Sequence, residues 1–345
     1  QLASRISGHP EWNRHVMYRA TKMHYVEILR WRYRQRALRS LRITDKGIEY
    51  IAKHAPDKLP LLLSRQIQNA RCHEKPEKTY RVHTIATGMV MAENAGARIY
   101  PTEKPSLLKN GLGSGEPPND NASYYYSIRE IRDAIMEATE KAIAKTARII
   151  GIIVRGRYCY CLYYTGFSRL YWRPATEHNL AAAIQSILIE KGFRCDTIRQ
   201  IIIGSTLRVA ETIAKQGMDR SSRYLTVSKY YDKCHFITND SNGDALLRLI
   251  INPELATDFE KSIMIPAFLP PPYPTRSYDA VTPDGSRPVI LNYQFELSSL
   301  ILIDTTPDGF SQPPILLCLD YQVDIIQKIV GAMIEVRAIE KEMPR

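Results

Sequence analysis

RWRYRQRALRSLRITDKG, residues 30–47, decides how the N-terminal part of this chain is read. Arginine stands at 30, 32, 34, 36, 39 and 42, and no acid intervenes before Asp45. A period of two scatters Arg30, Arg32, Arg34 and Arg36 around a helix but gathers them on one face of a strand. Trp31 and Tyr33 then take the other face, and both have high strand propensity. Leu38, Leu41 and Ile43 are read as a returning strand, although no Asn-Gly-type dipeptide marks the reversal. TDKGIEYIAKH begins a short helix, with Thr44 or Asp45 as its N-cap.

Upstream, HPEWNRHVMYRATKM reads as a helix with Pro10 in its first turn. Trp12, Val16, Ala20 and Met23 share one arc and are expected to be buried. Arg14, Tyr18 and Lys22 share the opposite arc and are expected to face outward. Helix, basic ribbon and short helix follow one another in the order of a winged helix, over residues 1–57.

The charge supports that order. Residues 1–46 hold eleven basic and three acidic residues, +8 of the chain's +11. Such a concentration suits a polyanion. The expected DNA-contacting set is Asn13, Arg14, Tyr18, Arg19, Lys22, Arg30, Arg32, Arg34, Arg36, Arg39 and Arg42, and the expected partner is double-stranded DNA. The helix would enter the major groove, and the arginines would lie on phosphates or in the minor groove. A homodimer is expected, because winged-helix proteins often read two half-sites. The competing readings are a solubilising basic surface and an adaptor whose basic end binds an acidic protein.

A chain of 345 residues is expected to form two or three domains. Residues 58–122 read as a helical connector followed by a mobile Pro/Gly/Asn-rich linker (101–122). Residues 123–265 alternate strands and helices, as in a layered α/β domain. Residues 266–345 open on a proline-rich break, return to strands at SRPVILNYQFEL, SSLILID and PPILLCLDYQ, and close with the helix VDIIQKIVGAMIEVRAIEKE. The fold class is therefore mixed α/β (α+β). No secretory h-region opens the chain, and its apolar runs fall far short of the roughly 18 residues that span a bilayer. A soluble, cytoplasmic protein without membrane partner is expected. Cys72, Cys159, Cys161, Cys195, Cys234 and Cys318 form no CxxC pair and read as reduced, buried thiols.

Catalytic motifs are sparse. A relaxase needs a metal-binding histidine pair and a nucleophilic tyrosine. Tyr124, Tyr125 and Tyr126 form a run, but no HxH occurs, and strand packing with linker anchoring is the simpler reading. A restriction-type nuclease needs an Asp, then an acid two residues before a Lys, to hold a divalent metal and steady the attacking hydroxide. Asp279 and Glu296 have plausible spacing, yet Ser298 stands where the Lys belongs, and Asp320-Tyr321-Gln322 fails in the same way. Mg2+ would be the cofactor only of that nuclease; otherwise none is expected. GLGSG (111–115) is no phosphate loop. Glu177-His178 reads as a capped helix start before it reads as an acid–base pair.

LRITDKGIEYIAKH, RVHTIATGMVMAENAGA, YYSIREIRD and ARIIGIIVRGRYCYCLYYTG…LYWRPATE resemble the replication-relaxation family of plasmid and conjugative-element proteins. The resemblance spans about residues 1–330. It implies an N-terminal winged helix, a degenerate restriction-nuclease-like α/β core, and a role in replication, mobilisation or transcriptional control of a mobile element. A replication or transfer protein would be a partner. It carries no catalytic residue across, because the nuclease lysine has no counterpart.

Overall fold

The computed structural model describes Arg5 and residues 9–33, 36–60, 76–139, 148–167, 170–217, 223–271, 278–303, 310, 312–341 and 343. It begins with helix α1 (Pro10–Lys22), an antiparallel ribbon of β1 (Val26–Tyr33) and β2 (Arg36–Ile43), and helix α2 (Asp45–His54). Helix α3 (Pro76–Asn94) packs against the ribbon and against the sheet that follows.

That sheet runs β3 (Tyr124–Ser127), β4 (Ile149–Arg155), β5 (Tyr158–Gly166), β6 (Thr197–Gly204), β7 (Cys234–Thr238), in that spatial order. The strands β3, β4 and β5 are antiparallel; β5, β6 and β7 are parallel. IIGIIVR and YCYCLYYTG are buried along almost their whole length, as strands covered on both faces must be. Gly156, at φ +52°, lets them reverse in two residues. Parallel neighbours need crossovers. Helices α4 (Ile128–Thr139), α5 (Pro174–Glu190) and α6 (Leu207–Gln216) lie between β3 and β4, β5 and β6, and β6 and β7. Gly151 is required on β4, because a Cβ there would meet the buried Tyr125 ring at 2.7 Å.

After α7 (Ser241–Ile251) and α8 (Pro253–Ala267) comes a second sheet: β8 (Ala280–Val281), β9 (Pro288–Leu291), β10 (Ile315–Cys318) and β11 (Glu335–Ala338), ordered β11-β10-β9-β8. Helix α9 (Leu297–Ile301) and helix α10 (Val323–Val330) fill its connections. The sheets meet where Phe236 N–H donates to Phe295 O at 3.1 Å, and one apolar core runs through both. No helix among the described residues is long and apolar enough to cross a membrane.

Several expectations are corrected. The first part of the 101–122 connection packs rather than hangs free: Pro101, Lys104, Pro105 and Leu107 are buried, while 109–122 run largely exposed. Tyr126 Oη donates to Pro105 O at 2.7 Å, and Asn119 N–H donates to Tyr124 Oη at 3.1 Å, so the tyrosine run anchors this segment. The described residues of SSLILID (298–303) form no strand. Glu296 accepts from Ser298 N and Ser299 N, both at 2.9 Å, and starts α9 instead. The closing helix stops at Val330, because Gly331 takes φ +81°; the chain then pairs with β10 as β11. Helix α8 was not anticipated, although Asn252 caps it and Pro253 opens it. The expected helical segment KLPLLLSRQIQNA and Cys72 lie largely or wholly outside the described residues.

Candidate nucleic-acid interface

The connection from α1 into β1 and the start of α2 are fastened together. His24 turns the chain at φ +59°. Thr44 Oγ1 donates to His24 O at 2.6 Å and accepts from Gly47 N at 3.1 Å, so Thr44 is both corner clamp and N-cap. Gly47 is needed for close approach: a Cβ there would sit 2.2 Å from Tyr25 O. Gly47→Ala is expected to destabilise this unit by about 1–3 kcal/mol through overpacking against backbone. Thermal unfolding of the variant checks this, and an unchanged midpoint would refute the close approach.

The register pairs Val26 with Ile43, Ile28 with Leu41, Arg30 with Arg39, and Arg32 with Ala37. These positions share one face, on which Ile28, Arg30, Arg32, Ala37, Arg39 and Leu41 are exposed. Leu29 and Ser40, on the other face, are half-buried, and Ser40 Oγ meets His83 Nε2 of α3 at 2.7 Å. The ribbon therefore lays one face on the body and presents the other. Two arginines stand directly opposite each other there, with a third beside them. Like charges across an antiparallel pair are destabilising. No described acid pairs with Arg30, Arg32 or Arg39.

The arginines are not equivalent, which their spacing did not reveal. Arg42 stands opposite Glu27 and forms an ion pair with it. Arg36 is registered against Tyr33, so the period of two does not continue through the turn. Arg34 lies outside the described residues. Arg39, not Arg36, completes the exposed basic face, and only the register identifies it.

On α1, Tyr18, Arg19 and Lys22 are exposed. Arg14 lies 3.0 Å from Glu11, with both side chains at least 74% exposed, a contact of little energetic weight. Asn13 is 8% exposed and therefore turned away from any partner, contrary to its place among the expected contacts. The apolar arc is also not the covered one. Trp12, Val16 and Met23 are exposed, whereas Asn13 is buried and Met17, Ala20 and Thr21 are half-buried. The covered arc is rotated by about one residue, because α1 rests on the ribbon rather than in a deep core.

In the body, Asp279 and Glu296 are occupied by the backbone. Asp279 Oδ2 accepts from Leu291 N at 2.7 Å; Glu296 Oε1 accepts from Cys234 N at 3.2 Å besides capping α9. Neither lies on β4 or β5, the two antiparallel strands at the heart of the first sheet. Burial raises the pKa of the Asp279 carboxyl. Glu296 is held below its usual range: burial opposes ionisation, but His235 and hydrogen bonds from Ser298, the Cys234 amide and Ser299 outweigh it. Glu177 Oε1 accepts from Arg148 N at 2.6 Å, while His178 turns to Ser228 and Tyr230; the adjacent acid and base do not form a pair. Among the described residues no three His, Cys, Asp or Glu side chains converge as metal ligands.

His235 carries a measurable consequence. It is fully buried, and its Nδ1 donates to Gln294 O at 3.2 Å. Burial pushes its pKa down to about 4, against the pull of Glu296. Between about 6.5 and 4 the unfolded imidazole binds a proton and the folded one does not. Stability is therefore full above pH about 6.5 and falls by about 3 kcal/mol as pH drops through that window. His235→Gln is expected to flatten the decline, read from urea unfolding at pH about 7 and 4.5; parallel declines would rule it out.

Compared with protein-family models, with curated proteins and with solved structures, the chain finds no match in any of the three.

Proposed function

We propose that this chain binds double-stranded DNA through α1 and the outer face of the ribbon, and serves a mobile genetic element in replication, mobilisation or transcriptional control. The observation that carries the reading is the cross-strand pair Arg30–Arg39 with Arg32 beside it, exposed and without a described acidic partner. A fold gains nothing from juxtaposing like charges; a polyanion neutralises both at once. The order α1, ribbon, α2 supports a winged helix. Three antiparallel strands followed by a helical crossover to a parallel fourth support a restriction-nuclease-like core. Strands β4 and β5 carry no carboxylate, which favours a degenerate, non-catalytic form of that core. The body would then serve a homodimer or dock a replication or transfer protein. The assignment to mobile elements rests on the resemblance of the sequence motifs. Duplex affinity measured across a salt series tests the proposal: log K should fall linearly with log salt. Absence of duplex binding at low salt, or a slope near zero, would overturn it.

A further inference from the structure

A second basic and aromatic surface lies on the body and shares no residue with the set assigned to duplex binding. Segments 170–178 and 223–231 run beside each other and are joined twice. Trp172 N–H donates to Arg223 O at 2.9 Å and Leu225 N–H donates to Leu170 O at 2.8 Å, making Tyr171 and Tyr224 direct antiparallel neighbours. Farther along, Ser228 Oγ lies 3.0 Å from His178 Nε2, and the His178 ring stacks on Tyr230 at 4.3 Å and 9°. The junction is stiffened from beneath: Trp172 is buried and packs edge-on against Tyr163, which shares a 2.9 Å hydroxyl contact with Tyr231.

Above this base three tyrosines reach solvent with part of their surface. Tyr171, Tyr224 and Tyr230 are 42%, 42% and 40% exposed. Arg173 sits over the Tyr171 ring with Cζ at 5.9 Å, and Arg173, Arg223 and Lys229 are all exposed. Among the described residues nearby in the chain, Glu177 is buried and Asp232 is bonded to Arg199. Exposed rings on a rigid base, interleaved with cations, fit a ligand with flat π-faces and regularly spaced negative charge. A duplex hides its base faces; a single strand exposes them.

We propose that the surface formed by Tyr171, Arg173, Tyr224 and Tyr230 binds single-stranded nucleic acid. The bases stack on the tyrosines, and Arg173, Arg223 and Lys229 meet the phosphates. The site is sequence-tolerant, because every base has a π-face. It goes beyond the duplex reading and does not depend on it: the two surfaces share no residue.

The test uses the full chain and a fluorescent oligothymidylate of about 20 nucleotides, longer than the roughly 4–16 such surfaces cover, with anisotropy as readout. Tyr171→Ala with Tyr224→Ala is expected to weaken binding roughly ten- to a hundredfold. Tyr171→Phe with Tyr224→Phe keeps the rings and is expected to retain affinity within about threefold, because stacking, not the hydroxyl, holds the base. Arg173→Glu is expected to weaken binding and reduce its salt dependence. Arg30→Ala with Arg32→Ala and Arg39→Ala is expected to spare oligothymidylate binding while reducing duplex binding, so the two proposals fail separately. No oligothymidylate binding by the wild type, equal binding by the Ala pair, or loss only with the arginine triple would overturn the proposal. Circular dichroism confirms that each variant is folded; if the Ala pair unfolds, Arg173→Glu and the Phe pair still decide.

Discussion

Replacing Arg30, Arg32 and Arg39 together with alanine is expected to reduce duplex-DNA affinity roughly 500-fold at about 0.1 M salt. Each neutralised phosphate contributes about 0.9 to the slope of log K against log salt, so three arginines contribute about 2.7. Across the decade from about 1 M to about 0.1 M, that slope corresponds to roughly 500-fold. The same variant is expected to lose no stability. All three side chains are exposed, and removing Arg39 from opposite Arg30 relieves a repulsion. A loss of binding with an unchanged or slightly raised unfolding midpoint separates a functional surface from a structural one. Arg42→Ala is the control: Arg42 is already paired with Glu27, so its removal should change the slope far less than removing Arg39. An unchanged slope in the triple variant, or equal effects of Arg39 and Arg42, would sink the assignment.

Glu130→Ala is expected to cost about 3–5 kcal/mol, a large part of the roughly 5–15 kcal/mol by which a domain is stable. Glu130 and Lys104 form an ion pair at 2.8 Å with both side chains at most 6% exposed. Lys104 Nζ also donates to Tyr125 O at 2.5 Å. Burial pushes the Lys104 pKa down, and Glu130 is what opposes that shift. Glu130 has a second duty: its Oε2 accepts from Ser127 N at 2.8 Å, while Ser127 Oγ accepts from Glu130 N at 3.4 Å. That is a capping box at the start of α4. Removing Glu130 strands a buried ammonium, frays the helix start and loosens the 101–122 connection from the sheet. Lys104→Met with Glu130→Gln is expected to recover most of the loss, because Gln still serves the box and no buried charge is left unpaired. Urea unfolding of the three proteins checks this. A single variant costing under about 1 kcal/mol, or a double variant as unstable as the single, would contradict the account.

The capping box was legible: Ser127-Ile-Arg-Glu130 has its spacing in the sequence. Its partner Lys104 was not, because the pairing crosses 26 positions of a segment whose prolines and glycines read as a linker. The candidate interface divides in the same way. That residues 26–43 form a ribbon followed by a capped helix could be read from alternation and from Thr44. That Arg39 completes the basic face while Arg42 is neutralised could not. Both follow from a register fixed at a turn without a diagnostic dipeptide, and a one-residue slip moves every side chain to the other face. The surface at Tyr171 and Tyr224 was invisible for the same reason: the two tyrosines lie about fifty residues apart and are brought together by an antiparallel bridge.

The sequence by itself determined the local elements: α1, the ribbon, α2, the β4–β5 hairpin and the crossover helices with most of their ends. Their signals are periodicities, caps and turn residues, and each acts within a few positions. Only the tertiary structure decided which faces are covered and which charges are free. Trp12 is exposed and Asn13 buried because α1 rests on a two-stranded ribbon. Leu297–Ile301 is a helix because Glu296 caps it while holding Cys234 on another element. Burial and charge pairing depend on what arrives from elsewhere in the chain, and no local period records that arrival.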